Sequence, residues 1–240
     1  MKFSVIIPTL NEAKFIQPTI QRIRDLDESA QIIIADGESS DETVPMCQKA
    51  KLEIVFSKRG RGSQCNAGAR KASGDVLVFL HADTLLPQNA FELLSDYFNN
   101  AQINIGTFRL SFDSPNAVLR FYCWFTKFDS MFTRFGDQCI VIRKSFFDEI
   151  GGFQDWPLFE DVHLLRLARR RTQVISFPSE VITSARRFQT RGIIRTQIFN
   201  GLLLLLYLLG ISPVLLAKWY AIKNPEKLKL PALQKKALRI

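Results

Sequence analysis

Four short apolar runs divide the first hundred residues, and each ends in a polar loop. FSVIIP (residues 3–8), IIIAD (32–36), LEIVFS (52–57) and DVLVFLH (75–81) are too short for helices and read as strands buried on both faces. Amphipathic stretches of helical character separate them, at about residues 13–26, 41–49 and 63–72. Strand–helix alternation of this kind implies right-handed crossovers and an α/β architecture built on a doubly wound, mainly parallel sheet.

In such a sheet the ligand lies outside the carboxyl ends of the strands. The four runs lead into PTLNE, ADGESSDET, SKRGRGSQCNAGA and HADT. One crevice should therefore collect Asn11, Glu12, Asp36, Lys58, Arg59, Arg61, His81 and Asp83. Acids and bases at four successive strand ends point to a charged ligand. GRGSQC is a poor match to the dinucleotide fingerprint, because Cys65 takes the third glycine position and the motif follows the third strand. No Walker sequence is present either.

The formal net charge of +9 invites a polyanion. The basic residues gather in SKRGRGS, RLARRR, SARRFQTRGIIR and the segment after Ala217, with neither a zinc-finger nor an RRM signature. Aromatic residues are not interleaved with these runs, so nucleic acid is not an expected partner. The four cysteines are scattered, as expected of reduced thiols in a cytosolic protein. The apolar run in MKFSVIIPTLNE is too brief for a secretory h-region, and no leader is expected.

SVIIPTLNE, ADGESSDET, GRGSQCNAGA, FLHADT and the later FEDVHLLRLARR, in that order, resemble the family 2 glycosyltransferases of GT-A fold. The resemblance covers residues 1–195, with a nucleotide-sugar half (1–100) and an acceptor half (101–195). It implies an inverting transferase that moves a sugar from a nucleotide diphosphate sugar, with a UDP-sugar favoured. It places Pro8, Thr9, Asn11, Glu12 and Asp36 around base and ribose, and Lys58, Arg61 and Gln64 near the nucleotide. Ala82 and Asp83 fall beside the diphosphate and a divalent metal, Mn²⁺ or Mg²⁺. Physical chemistry agrees with several of these roles. A carboxylate at Asp36 can accept from a base N–H and a ribose hydroxyl. Gly60 and Gly62 permit close backbone approach, and the neighbouring cations balance phosphate charge.

The family's paired aspartates read here as His81-Ala82-Asp83. Asp83 keeps the metal-ligating position. Three roles are compatible with His81: a hydrogen bond to sugar or ribose, ligation of manganese, or packing at the strand end. Imidazole suits Mn²⁺ better than Mg²⁺.

Further along, INIGTFRLSF (residues 103–112) alternates like a strand, and residues 136–153 read as strand, short helix and turn. The acidic pair Glu160-Asp161 opens a helix. Asp161 is the candidate general base, taking the proton from an acceptor hydroxyl, and the plain alternative is a helix cap. Glu160 either orients the donor or caps the helix. His163 is within reach of the metal position, but reads first as a surface or packed residue. SARRFQTRG resembles the basic segment that follows the base in relatives, which makes Arg186 and Arg187 candidates for diphosphate contact. The Gln and Trp of the fuller processive motif are missing, so polymer synthesis is not expected.

From Thr196 to Ala217 the chain carries no charge over 22 residues. A continuous helix of that length would be about 33 Å, enough for a bilayer core of ~30 Å. Gly210, Ser212 and Pro213 interrupt it, and a single span would export the basic tail against the positive-inside bias. Attachment to the cytoplasmic face through broken or interfacial helices is therefore favoured over a span, with a core helix or dimer contact as the third option. Any of the membrane readings makes a lipid-like acceptor the leading expectation. A nucleotidyltransferase would place a glycine-rich basic loop after the first strand, where PTLNE stands instead. A non-catalytic nucleotide-sugar-binding or scaffold protein of the same fold is the other rival.

Overall fold

The computed structural model describes residues 1–125, 136–186, 188 and 192–223. The four expected strands are β1 (Phe3–Thr9), β2 (Gln31–Asp36), β3 (Glu53–Phe56) and β4 (Val76–Phe79). Between them run α1 (Ile16–Leu26), α2 (Thr43–Lys49) and α3 (Arg61–Lys71). These four strands pair in parallel in the order β3-β2-β1-β4.

The register Pro8↔Ala35 and Thr9↔Asp36 brings the ends of β1 and β2 level. Val5 and Ile7 face α1, where Ile16, Ile20 and Ile23 await them, while Ile6 faces α3 on the other side. Burial on both faces is why β1 tolerates no polar alternation. α3 approaches so closely that a Cβ on Gly68 would lie 2.4 Å from Ile6 Cγ2.

β3 differs from the expectation of a fully buried strand. It is the sheet edge, with Glu53 exposed and Phe56 64% exposed, because among the described residues no further strand pairs with that side of it.

Beyond β4 the sheet becomes mixed. The later strands are β5 (Thr84–Leu85), β6 (Ile105–Phe112), β7 (Ile140–Arg143) and β8 (Ile175–Thr183), and the full order is β3-β2-β1-β4-β7-β6-β8-β5. β7 runs antiparallel between β4 and β6, β8 is parallel to β6, and β5 is antiparallel to β8. Helices α4 (Ala90–Asn99), α5 (Ala117–Phe125), α6 (Lys144–Glu149) and α7 (Glu160–Arg169) flank this half. Leu164, Leu165 and Ala168 of α7 join the core on the α3 side.

The apolar C-terminal stretch forms α8 (Ile193–Leu208) and α9 (Pro213–Lys223), broken at Gly210 with φ +94°. α8 has 16 residues, which makes it about 24 Å long, short of a ~30 Å bilayer core. Among the described residues no helix is long and apolar enough to cross a membrane. Leu203, Leu204 and Tyr207 of α8 and Leu216 of α9 pack around Val162 of α7.

Candidate active site

Asp36 ends β2 fully buried, and its carboxylate is satisfied by its neighbours. Thr9 Oγ1 donates to Oδ2 at 2.8 Å, Ser39 N to Oδ1 at 2.8 Å, and Ser39 Oγ to Oδ2 at 2.6 Å. Gln64 reaches from α3 and donates Nε2–H to Thr9 O (2.6 Å) and Ala35 O (2.9 Å). Its amide thus stitches the ends of β1 and β2 from beneath. Pro8 sits half-buried in β1 opposite Ala35.

After β1 the chain turns through Asn11, whose φ of 57° is left-handed, a conformation that asparagine adopts more readily than most residues. Asn11 Oδ1 accepts from Ser40 N at 2.8 Å, and Asn11 N donates to Ser39 Oγ at 2.9 Å. These bonds lock the loops after β1 and β2 to each other.

At the end of β4, Ala82 O accepts from Thr19 Oγ1 at 2.9 Å. The Asp83 carboxylate meets Arg186, with Nη2 to Oδ2 at 2.9 Å. The same Nη2 lies 2.9 and 2.7 Å from the two carboxylate oxygens of Glu12. The Arg186 guanidinium also covers the Phe15 ring, 4.0 Å from its centroid, in a cation–π contact. Two carboxylates from different strand ends therefore converge on one positive charge. Arg187 lies outside the described residues.

The candidate base is reached through a second arginine. Glu160 and Asp161 open α7 and are both buried, after Phe159 takes a left-handed φ of 64°. Asp161 Oδ2 accepts from Gly136 N at 2.7 Å and Oδ1 from Val162 N at 2.7 Å. A Cβ on Gly136 would lie 2.8 Å from Oδ2, so only glycine lets that amide approach. Arg61, the first residue of α3, donates Nε–H to Glu160 Oε1, and its Nη2 stands 3.6 Å from Asp161 Oδ2. Its Nη1 lies 3.1 Å from His81 Nε2. Arginine has only donors, so His81 Nε2 is the acceptor here.

Arg61 joins the end of β4 to the acidic pair of α7, and His81 serves as its third partner. Burial pushes the Glu160 carboxyl above its ordinary range, the Arg61 charge opposes that, and Asp161 adds to it.

The remaining cations of the basic loop stand farther out. Lys58 pairs with Asp155, which also accepts from Ser63 Oγ, and both members are mostly exposed. Hydrogen bonds from Lys58 and then Ser63 hold Asp155 below the usual carboxylate range. Arg59 Nε lies 3.6 Å from Glu38. Sequence reasoning missed Ser39, Phe15 and Asp155. Their chemistry is unremarkable in isolation, and their roles exist only through partners distant in the chain.

Among the described residues no three His, Cys, Asp or Glu side chains converge as a metal cluster. The oxygen donors of Asp83 and Glu12 nonetheless suit a hard cation such as Mg²⁺ or Mn²⁺, given phosphate oxygens to complete its shell.

Residues 4–171 match the model of glycosyl transferase family 2. The probable glycosyltransferase YdaM of Bacillus subtilis is 24% identical over 213 residues, which cover 75% of this chain and 50% of that protein. The dolichol-phosphate mannosyltransferase of Pyrococcus furiosus is 31% identical over 116 residues, 45% of this chain and 33% of the relative. The chain thus spans half or less of the length of these curated relatives. Among solved structures, the mannosyltransferase PcManGT of Pyrobaculum calidifontis, in complex with GDP-Man and Mn²⁺, superposes with a TM-score of 0.62. Its identity is 16%, and the match covers 99% of this chain and 79% of that one. Staphylococcus aureus TarS 1–349 with UDP-GlcNAc gives 0.61 at 17% identity, covering 85% and 65%. These likenesses carry the GT-A-like fold, and the family match spans the strand ends, the basic loop and the acidic pair that build the crevice. By that match over residues 4–171, the chain belongs to glycosyl transferase family 2.

Proposed function

We propose that the protein is an inverting glycosyltransferase that takes a hexose-type sugar from a nucleotide diphosphate sugar and places it on an acceptor hydroxyl or carboxyl group. The observation that carries this reading is Asp161, a buried carboxylate linked through Arg61 to the end of β4. Base and ribose lie at the joined ends of β1 and β2, where Asp36 holds Thr9 and Ser39 in place and Pro8, Asn11 and Ser39 shape the wall. Lys58, Arg59 and Arg186 supply positive charge for the diphosphate.

Asp161 accepts the proton of the acceptor oxygen as that oxygen attacks the anomeric carbon. The Gly136 amide holds the carboxylate in place, and one displacement inverts the configuration. Asp83, with Glu12 beside it, would hold a divalent cation, which when bound supplies Lewis-acid stabilisation of the leaving diphosphate. PcManGT with GDP-Man and Mn²⁺, and the glucosyl-3-phosphoglycerate synthase of Mycobacterium tuberculosis with Mn²⁺ and UDP, support metal dependence.

The acceptor is lipid-like or membrane-resident and the protein works at the cytoplasmic membrane surface. The charge-free stretch of residues 196–217 and the names of relatives that act on dolichol phosphate and undecaprenol-linked substrates support this reading.

The test is nucleotide release from a panel of UDP-, GDP- and dTDP-sugars with Mn²⁺ or Mg²⁺ and a lipid extract, beside Asp83→Ala and Asp161→Asn. Release from one donor, abolished in both variants, is expected. Donor binding without release under any metal or lipid would return the protein to the scaffold reading.

A further inference from the structure

A second site lies on the face of α7 turned away from the base. His163, Arg166 and Arg170 recur at helical spacing, and with Trp156, Tyr207 and Ser212 they line a cavity of about 280 Å³. Its floor is the α8–α9 connection, residues 210–213.

The chemistry of this cavity is one-sided. Among the described residues two guanidinium groups line it and no carboxylate does. Tyr207 accepts a hydrogen bond from Arg166. Ser212 Oγ accepts from Val214 N at 3.3 Å, which leaves the hydroxyl hydrogen able to donate. The amino terminus of α9 adds its positive dipole end. His163 packs against Trp156, with ring centroids 4.5 Å apart and planes tilted by 59°. Burial, and after it the Arg166 and Arg170 charges, pushes its imidazole below the usual range.

The surroundings say what kind of anion fits. Ile194, Ile198, Leu202, Leu205 and Leu209 repeat every three or four residues along α8 and are between 49% and 72% exposed. The opposite stripe of the same helix, Leu203, Leu204 and Tyr207, is buried. A helix apolar on both faces has only half of that surface covered by the protein. Leu209 directly precedes the cavity floor and the exposed Val214 directly follows it. The sequence from Lys218 to the last residue adds seven basic residues against one acid. A positive pocket whose 210–213 wall lies between the exposed apolar side chains of Leu209 and Val214 complements a molecule that is anionic at one end and apolar at the other.

We propose that this cavity binds the phosphate of an anionic phospholipid, with the exposed Leu209 and Val214 beside it meeting the bilayer surface. The inference deepens the membrane-surface part of the proposed function and is independent of the sugar chemistry.

The experiment is cosedimentation of the full chain with vesicles of phosphatidylcholine alone or mixed with phosphatidylglycerol. R166Q/R170Q is compared with the charge-matched K49Q/K51Q, distant in the fold, and inorganic phosphate is the soluble competitor. Wild type should bind the mixed vesicles. R166Q/R170Q should lose about tenfold or more in affinity, and K49Q/K51Q should stay within about twofold. Inorganic phosphate at matched phosphate concentration should not release the protein. Equal losses in both double variants would reduce the effect to diffuse charge attraction and overturn the proposal. Equal binding to pure phosphatidylcholine would overturn it in favour of apolar docking, and full displacement by inorganic phosphate in favour of a free-phosphate site. The milder R170Q alone should lose about threefold, which keeps the test open if the double variant folds poorly. Donor hydrolysis in solution should be unchanged in R166Q/R170Q. A wild type that binds vesicles but hydrolyses no donor would sink the transferase reading and leave this one standing.

Discussion

The proposed donor end and the proposed base end of the crevice are built differently. At the donor end, Asp36 is held by Thr9 on the adjacent strand and by Ser39, three residues ahead in the chain. At the base end, Glu160 and Asp161 are held by Arg61, about a hundred positions earlier, and Asp161 also by Gly136. The first arrangement follows from pairing β1 with β2. The second exists only once α3 and α7 lie side by side on one face of the sheet. Catalytic geometry at the base should therefore be more sensitive to changes in packing than nucleotide binding is.

The largest expected effect comes from Asp161→Asn. Transfer should fall by about 10²–10⁴-fold while donor affinity, read by calorimetry, stays close to wild type. A parallel loss of donor binding would erase the contrast between the two ends. Next is Gly136→Ala, whose methyl would crowd Asp161. It should lower kcat by about tenfold or more, since small misplacement of a reacting group is costly, with little change in donor KM.

Arg61→Met leaves Glu160 buried without its cation. The loss for a buried pair is about 3–5 kcal/mol, and the 37% exposure of the Arg61 side chain brings the expectation down to about 2–3 kcal/mol in urea unfolding. The double variant Arg61→Met/Glu160→Met should recover most of that stability. A purely additive result would mean the pair is not coupled.

Gly68→Ala, which tests the seat of α3 on β1, should cost about 1–3 kcal/mol by overpacking against Ile6. The smallest effect belongs to the exposed Lys58–Asp155 pair, at under about 1 kcal/mol. Because Asp155 is held below its ordinary value, that contribution is present above the unfolded carboxyl range near 3.8 and disappears as pH falls through the lower folded value. Melting temperatures of Lys58→Ala and wild type should converge at acid pH.

The donor half was largely readable because strand runs and their terminal loops are local signals. Each of the four expected strands is present, and the ends of β1 and β2 lie level, as parallel pairing requires. The reversal of β7 was not readable, because a four-residue apolar run has no direction until it pairs. Nor was the edge position of β3, since LEIVFS looks like a buried strand until the absence of a neighbour leaves Phe56 in solvent. Arg61 shows the same limit within the site. It stands in a loop that reads as phosphate-binding, and its carboxylate partners lie on a helix that no spacing rule connects to it.

The sequence by itself determined an α/β core, the set of polar groups at the strand ends, and a break in the apolar stretch at Gly210 and Pro213. These depend on period, glycine and proline, which act within a few residues. The tertiary structure decided which groups share a charge. Arg186 lies between Glu12 and Asp83, and Arg61 reaches Glu160, Asp161 and His81. It also placed Arg166 and Arg170 beside the α8–α9 connection. A guanidinium acts over a few ångströms whatever the separation in the chain, so these pairings arise only from the packing of helices on the sheet.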